Sequence, residues 1–121
     1  MLMLSTPSYS EWSKVAESTG SRNVIYVDFN RIKKADGYVY YYALTDYAKP
    51  VFGDLSVTVY TQGDCKLSRE KGLTWIFHQG KKGQGRSLIE NTPDSKWSYP
   101  SAHASSSSKE IVLRAVCAKA E

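Results

Sequence analysis

The side chains that could take part in catalysis or bind a metal are few in this chain of 121 residues. Its two histidines, His78 and His103, are 25 positions apart, and no carboxylate lies at a helical or hairpin spacing that would complete a metal site. The GxSxG pattern of a serine hydrolase is also absent from the sequence. We therefore expect no metal, no cofactor and no enzymatic activity, and we assign both histidines structural or surface roles.

The glycine-rich stretch GKKGQGR, Gly80 to Arg86, is a candidate binding loop. Its glycines could present backbone N–H groups to a phosphate, but it lacks the Lys-Ser or Lys-Thr pair of a nucleotide-binding P-loop. Two interpretations remain open. The stretch is either a hairpin connection kept soluble by its lysines, or a basic site where Lys81, Lys82 and Arg86 bind an anionic partner.

Aromatic side chains are concentrated in one segment, since five of the nine tyrosines lie within the ten residues from Tyr38 to Tyr47. A strand there would have two apolar faces, both suited to being covered. The faces are Tyr38, Tyr40, Tyr42 and Leu44 on one side, and Val39, Tyr41, Ala43 and Tyr47 on the other. Core and cross-strand packing explains most of these rings. The alternative is an open aromatic face that binds single-stranded nucleic acid with help from the basic loop.

Composition limits the class of protein. An apolar content of 41% is enough for one core, and we expect a flexible segment at residues 1–10 followed by a single domain at 11–121. The net charge of +4 permits an acidic partner, although it is low for a dedicated nucleic-acid binder. No window approaches the roughly 18 apolar residues of a transmembrane helix.

The elements that must position these residues are mainly short strands. WSKV (Trp12 to Val15) and VIYVD (Val24 to Asp28) flank a hairpin turn, and DFNRIKKADG forms a compact turn that ends at a tight Asp36-Gly37 reversal. After the tyrosine strand, LSVTVYTQGDC alternates cleanly, and SLIEN is a candidate last strand. The alternation predicts two faces: Leu55, Val57 and Val59 inward, and Ser56, Thr58 and Tyr60 outward into solvent.

The end of the chain has a helical pattern. SSSSKEIVLRAVCAKA begins with capping serines and places an apolar stripe on one face, comprising Ile111, Val112, Ala115 and Val116. This helix must pack on the sheet, which gives an α+β fold and brings Cys117 toward Cys65 at the end of the GDC strand. We predict a disulfide between the two cysteines. Two buried free thiols in a cytosolic protein are the alternative.

The order of short motifs along the chain resembles that of the bacterial surface-adhesin protein E family. These motifs are W-x-K-V, YVD followed by an isoleucine, L-x-D-Y-x-x-P, GDC, a glycine-rich loop and a closing VC. The residues that carry them are Trp12, Lys14, Val15, Tyr26, Val27, Asp28, Ile32, Leu44, Asp46, Tyr47, Pro50, Asp64, Cys65, Gly83, Gly85, Val116 and Cys117.

This resemblance implies a non-catalytic binding protein of a Gram-negative envelope that is secreted, periplasmic or outer-membrane-associated. It also implies an antiparallel sheet of about six strands with a helix on one face, the Cys65 to Cys117 disulfide, and a homodimer. Named family members bind the host matrix proteins vitronectin and laminin, and plasminogen. The family's adhesive segment is a basic loop around the proline after the tyrosine strand. The corresponding stretch here, YAKPVFGDLS, retains only Lys49 as a base, so Lys49 joins the predicted partner-binding residues.

Overall fold

Seven antiparallel strands and one helix make up the fold in the computed structural model, which describes residues 11–102 and 107–121. The predicted flexible segment 1–10 and His103 lie outside the described residues. The strands are β1 (Ser13–Glu17), β2 (Val24–Val27), β3 (Lys33–Ala35), β4 (Tyr38–Val51), β5 (Asp54–Asp64), β6 (Arg69–His78) and β7 (Ser87–Asn91). The helix is α1 (Ser107–Ala120), and no helix in the described ranges is long and apolar enough to span a membrane.

The sheet runs in the order β1-β2-β4-β5-β6-β7, and β3 pairs with β4 beside the β2 pairing. This confirms the predicted α+β fold with an antiparallel sheet of about six strands and a C-terminal helix. Strand β3 is an addition, because it lies in the segment predicted to be only a compact turn. Asp36 and Gly37 both have positive φ, so the chain reverses within two residues and β3 pairs back along β4.

The helix packs on the face formed by β1, β2 and β4. Its buried residues meet the strand residues in one apolar core, which consists of Ala16, Ile25, Val27, Val39, Tyr41, Val112, Leu113 and Val116. The predicted helical stripe was partly wrong, because Ile111 is half exposed and Leu113 is buried in its place. The buried stripe follows the helical period through Val112 and Val116 toward Cys117, which leaves Ile111 at its margin.

A disulfide joins Cys65, just after β5, to Cys117 in α1. This confirms the predicted pairing, and the described residues include no free cysteine. The bond joins the C-terminal part of the helix to the sheet at the C-terminal end of β5. At the other end of the helix, the hydroxyls of Ser108 and Ser18 are hydrogen-bonded at 3.1 Å. The helix is therefore held at both ends across the strands that it covers.

The opposite face of the sheet is partly covered by the glycine-rich loop, which folds back onto β4 and β5. Ser56 donates a hydrogen bond to the Gly80 carbonyl at 2.6 Å and accepts one from the Gly83 N–H at 3.0 Å. The prediction that Ser56 and Thr58 face solvent was wrong, because both are buried under this loop. Gly83 has a φ of +74°, and an added Cβ would lie 3.2 Å from a methyl group of Leu44. Glycine therefore permits this close approach.

We expect replacement of both cysteines by serine to lower the free energy of unfolding by about 4 kcal/mol. The disulfide spans a sequence separation of 52 residues and so restricts the unfolded chain. Urea unfolding followed by far-UV circular dichroism measures this loss, and the wild-type protein under reducing conditions should lose the same amount. A loss below about 1 kcal/mol in both samples would contradict the prediction, because the apolar face of the helix would then suffice to hold it.

Candidate functional site

Three turns meet at one end of the sheet, because antiparallel strands bring alternate connections together. They are residues 18–23 between β1 and β2, residues 52–53 between β4 and β5, and residues 79–86 between β6 and β7. The Asn23 side chain accepts a hydrogen bond from the Ala48 N–H at 2.9 Å, and the Lys81 ammonium donates to the Tyr47 carbonyl. These contacts hold the first and third turns against the end of β4.

The first and third of these turns and the end of β4 carry a cluster of exposed cations, which we call the basic end. Its members are Arg22, Lys49, Lys81, Lys82 and Arg86. The four predicted partner-binding residues, which are separated by up to 37 positions in sequence, therefore lie at the same end of the fold. Whether they bind a partner stays a prediction.

The two lysines of the loop also hold it in place. The backbone N–H of Lys82 donates to Oδ1 of the buried Asp46 at 2.7 Å, and its ammonium lies 5.1 Å from the centre of the Tyr26 ring. Lys81 is fastened to Tyr47. The loop is therefore docked on the sheet, and Lys81 and Lys82 have defined positions. The side chains of Lys49 and Arg86 have no hydrogen bond or ion pair within the part of the chain that the structure describes.

Two residues at this end were missed by the sequence analysis. Arg22 lies 27 positions before Lys49, and only the pairing of β2 with β4 brings the two residues to the same end of the sheet. Phe52 is fully exposed at the tip of the β4–β5 hairpin, next to the partly exposed Val51. Phe52 and Gly53 both have positive φ, as in a two-residue hairpin turn. The glycine after Phe52 was the available signal for this turn.

His78 lies under the loop and is buried. Its Nε2 is hydrogen-bonded to the Thr58 hydroxyl at 2.9 Å. Burial lowers the pKa of this histidine, although the nearby Asp54 opposes the shift. A neutral ring therefore fits the site at pH 7. This position agrees with the structural role expected from the sequence.

The tyrosine strand has one covered and one open face. Tyr41 is fully buried under α1 and donates a hydrogen bond to Glu70 at 3.0 Å. Tyr38, Tyr40 and Tyr42 point to the opposite side and are only half buried, so the prediction that both faces are covered was wrong for this part of the strand. Rings from neighbouring segments join them, namely Tyr26, Tyr60 and Trp97.

Cations cover several of these rings. The guanidinium of Arg31 lies 4.3 Å from the centre of the Tyr42 ring, and that of Arg69 lies 4.1 Å from Trp97. The nucleic-acid alternative requires exposed rings and clustered bases together. The rings do share an open face, but a base cannot stack on a ring face that a cation already occupies. Binding of single-stranded nucleic acid is therefore not favoured by this arrangement.

A cleft of about 250 Å³ opens beside the helix, over β5 and β6. Its apolar walls include Val57, Val59 and Trp75, and Glu70 lies at its rim with Lys109. Burial raises the pKa of Glu70, against the opposing charge of Lys109 and the hydrogen bond from Tyr41. The helix thus leaves part of its own side of the sheet uncovered.

Comparison with known proteins agrees with the resemblance in the motifs. The sequence model of the family described as surface-adhesin protein E matches residues 12–118. No curated protein sequence is significantly similar to this chain.

Three solved structures of protein E from Haemophilus influenzae are similar in fold. One has 17% sequence identity and a TM-score of 0.63, and the match covers 97% of this chain and 91% of that one. A second crystal form has 15% identity and a TM-score of 0.61 over 95% of this chain and 97% of that one. A third, from a non-typeable strain, has 17% identity and a TM-score of 0.50 over 80% and 70%. With the family model matching nearly its whole length, this chain belongs to the surface-adhesin protein E family.

Proposed function

We propose that this chain is a non-catalytic protein-binding module of the bacterial cell envelope that contacts its partner through the basic end. One observation carries the proposal. The cations of two turns and of the end of β4 gather at the end of the sheet where Phe52, a large apolar side chain, is fully exposed. A mixed surface of this kind, with an apolar residue among cations, is typical of a protein contact rather than of an inert turn region.

Phe52 supplies the clearest reason to assign a binding role. Its side chain adds nothing to the core, and its positive φ costs about 1 kcal/mol for a bulky residue. An asparagine followed by Gly53 would form the same turn with less strain. An exposed aromatic side chain at a strained position is explained if it enters a pocket on a partner.

In this proposal the exposed cations affect the rate of association, and the apolar contact of Phe52 affects the rate of dissociation. Exposed cations attract an acidic surface over several ångströms and raise the rate of association, but salt screens them. Burial of Phe52 would slow dissociation, because its transfer from water into a pocket is favourable by about 1.5–3 kcal/mol. The expected partner is therefore a protein with an acidic surface around an apolar pocket.

The envelope location is supported by the family and by the disulfide. Disulfides form and persist in oxidising compartments such as the periplasm and the cell surface. A host matrix protein such as vitronectin is the first partner to test, because the family is one of surface adhesins. Another bacterial envelope protein is the remaining candidate if host proteins do not bind.

Self-association is part of the proposal, and the outer edge of β7 is the surface suited to it. This strand pairs only with β6 among the described residues, and all five of its residues are exposed. Leu88 and Ile89 are 70% and 61% exposed. An open strand edge with exposed apolar side chains can pair with the same edge of a second copy.

We expect removal of four charges at the basic end to weaken vitronectin binding about tenfold or more at low salt. The variant combines Lys49→Gln, Lys81→Gln, Lys82→Gln and Arg86→Gln, and surface plasmon resonance at two salt concentrations measures the effect. A control variant removes the same charge elsewhere through Lys14→Gln, Lys66→Gln, Lys96→Gln and Lys119→Gln. Equal weakening by the control would show that net charge, not this site, governs binding. No binding by the wild type would refute the host-matrix partner.

The substitution Phe52→Asn should separate stability from binding. We expect the free energy of unfolding to rise by about 1 kcal/mol, because asparagine tolerates positive φ. Affinity for the partner should fall roughly tenfold or more, because the apolar anchor is lost. Urea unfolding and surface plasmon resonance on the same preparation test both effects. Unchanged affinity in a correctly folded, stabilised variant would show that Phe52 is not an anchor.

The dimer is tested by light scattering coupled to size-exclusion chromatography over a range of concentrations. We expect the wild type to dimerise and the variant Leu88→Lys/Ile89→Lys to remain monomeric, because lysines on an edge strand oppose pairing. A monomeric wild type at every concentration, or a dimer that survives both substitutions, would rule out this edge.

A further inference from the structure

The open face of the sheet carries a row of tyrosine rings flanked by two lysines, a surface that we call the trough. Tyr60 lies between Tyr40 and Tyr42, with ring centres 6.1 Å and 4.8 Å apart, respectively. All three rings are partly exposed on the side away from α1. The glycine-rich loop covers only the end of this face near Leu44 and Ser56. Because the Arg31 guanidinium lies over Tyr42, the open part of this row of rings consists of Tyr40 and Tyr60.

Two lysines lie on either side of the tyrosine rings, one on β3 and one on β6. The register pairs Lys33 with Tyr40, Tyr40 with Gln62, and Gln62 with Lys71, so these four residues form one row across β3, β4, β5 and β6. Cross-strand partners point to the same side of a sheet, and three strand spacings separate the two lysines by roughly 14 Å. The Lys71 ammonium lies 4.7 Å from the centre of the Trp97 ring, which keeps it on this face.

The lysines supply the uncompensated charge of the face. Each arginine nearby pairs with a buried aspartate, Arg31 with Asp28 at 2.8 Å and Arg69 with Asp64 at 2.9 Å. Lys33 and Lys71 have no carboxylate partner in the described part of the chain. A ligand in the trough would therefore meet aromatic rings below it and a positive charge on each side.

We infer that this trough, made of Lys33, Tyr40, Tyr60, Gln62 and Lys71, binds an acidic polysaccharide. Sugar rings lie flat on aromatic side chains, and carboxylates carried by successive sugars would reach the lysine on either side. Gln62 and the tyrosine hydroxyls offer hydrogen bonds to sugar hydroxyls. Burial, together with the neighbouring Tyr42 and Tyr40, raises the pKa of Tyr60, so its hydroxyl keeps its proton and can donate at neutral pH.

A polysaccharide suits this face better than nucleic acid does. Arg31 lies over Tyr42 and Arg69 lies over Trp97, so only Tyr40 and Tyr60 remain open, which suits one or two sugar rings but not a run of stacked bases. The disulfide is typical of an oxidising compartment such as the periplasm or the cell surface, and not of the cytosol, where nucleic acid is concentrated. This site is separate from the basic end, and its test does not depend on a protein partner.

The test is isothermal titration calorimetry of the full chain with a tetrasaccharide of galacturonic acid. We expect saturable one-to-one binding that is about tenfold weaker for Lys33→Gln/Lys71→Gln, because two charge-assisted contacts are lost. The variant Tyr40→Thr/Tyr60→Thr should weaken binding to a similar degree, and threonine keeps the strand preference. The control Lys34→Gln/Lys119→Gln removes the same charge outside the trough and should bind like the wild type.

Chemical-shift mapping on the wild type keeps the inference testable if a variant folds poorly. Shifts should centre on Tyr40, Tyr60, Gln62 and Lys71. The inference is overturned by the absence of saturable binding, or by equal affinity for a neutral maltotetraose. It is equally overturned by tighter binding of oligo-dT, or by shifts centred on the glycine-rich loop.

Discussion

One helix of 14 residues has to cover a seven-stranded sheet, and it is too small for the task. A helix of this length is about 21 Å long and about 10 Å wide, whereas six strands side by side span roughly 24 Å. It covers β1, β2 and β4, where the core lies, and the disulfide fixes it there. The rest of the sheet must be protected without a second layer. The short helix leaves the cleft over β5 and β6 on its own side, and the opposite side has only the docked loop and the packed aromatic rings as cover.

On the open face of the sheet, two aromatic rings are shielded from water by the same arrangement of three groups. A buried aspartate binds the Nε of an arginine, and the guanidinium lies over an aromatic ring, as in Asp28–Arg31–Tyr42 and Asp64–Arg69–Trp97. Burial would raise the pKa of Asp64, but hydrogen bonds from Arg69 and from backbone N–H groups hold it below its usual value. The stability from this charge is present above the unfolded pKa and is lost as the pH falls through the folded pKa.

Local patterns predicted the helix and the strands other than β3, because alternation, helical period and capping are properties of neighbouring residues. The disulfide was predicted from packing that helix on the sheet. They could not predict which polar residues the loop would bury, so Ser56 and Thr58 were expected in solvent. The position of Ile111 depended on how the helix rotates against the sheet. The sequence predicted only part of the basic end. Arg22 was missed because strand pairing brings it there, and Phe52 was missed because its exposure depends on the folded tip of the hairpin.

We propose that binding occurs at the turns, where the fold leaves side chains uncovered, and not at the helix that the sheet needs for its core. Hydrogen–deuterium exchange of the wild type, free and saturated with vitronectin, tests this most directly. We expect slower exchange in the bound state at residues 48–54 and 79–86, with α1 unchanged. Slower exchange confined to α1 or β7, or no change at the turns, would contradict it.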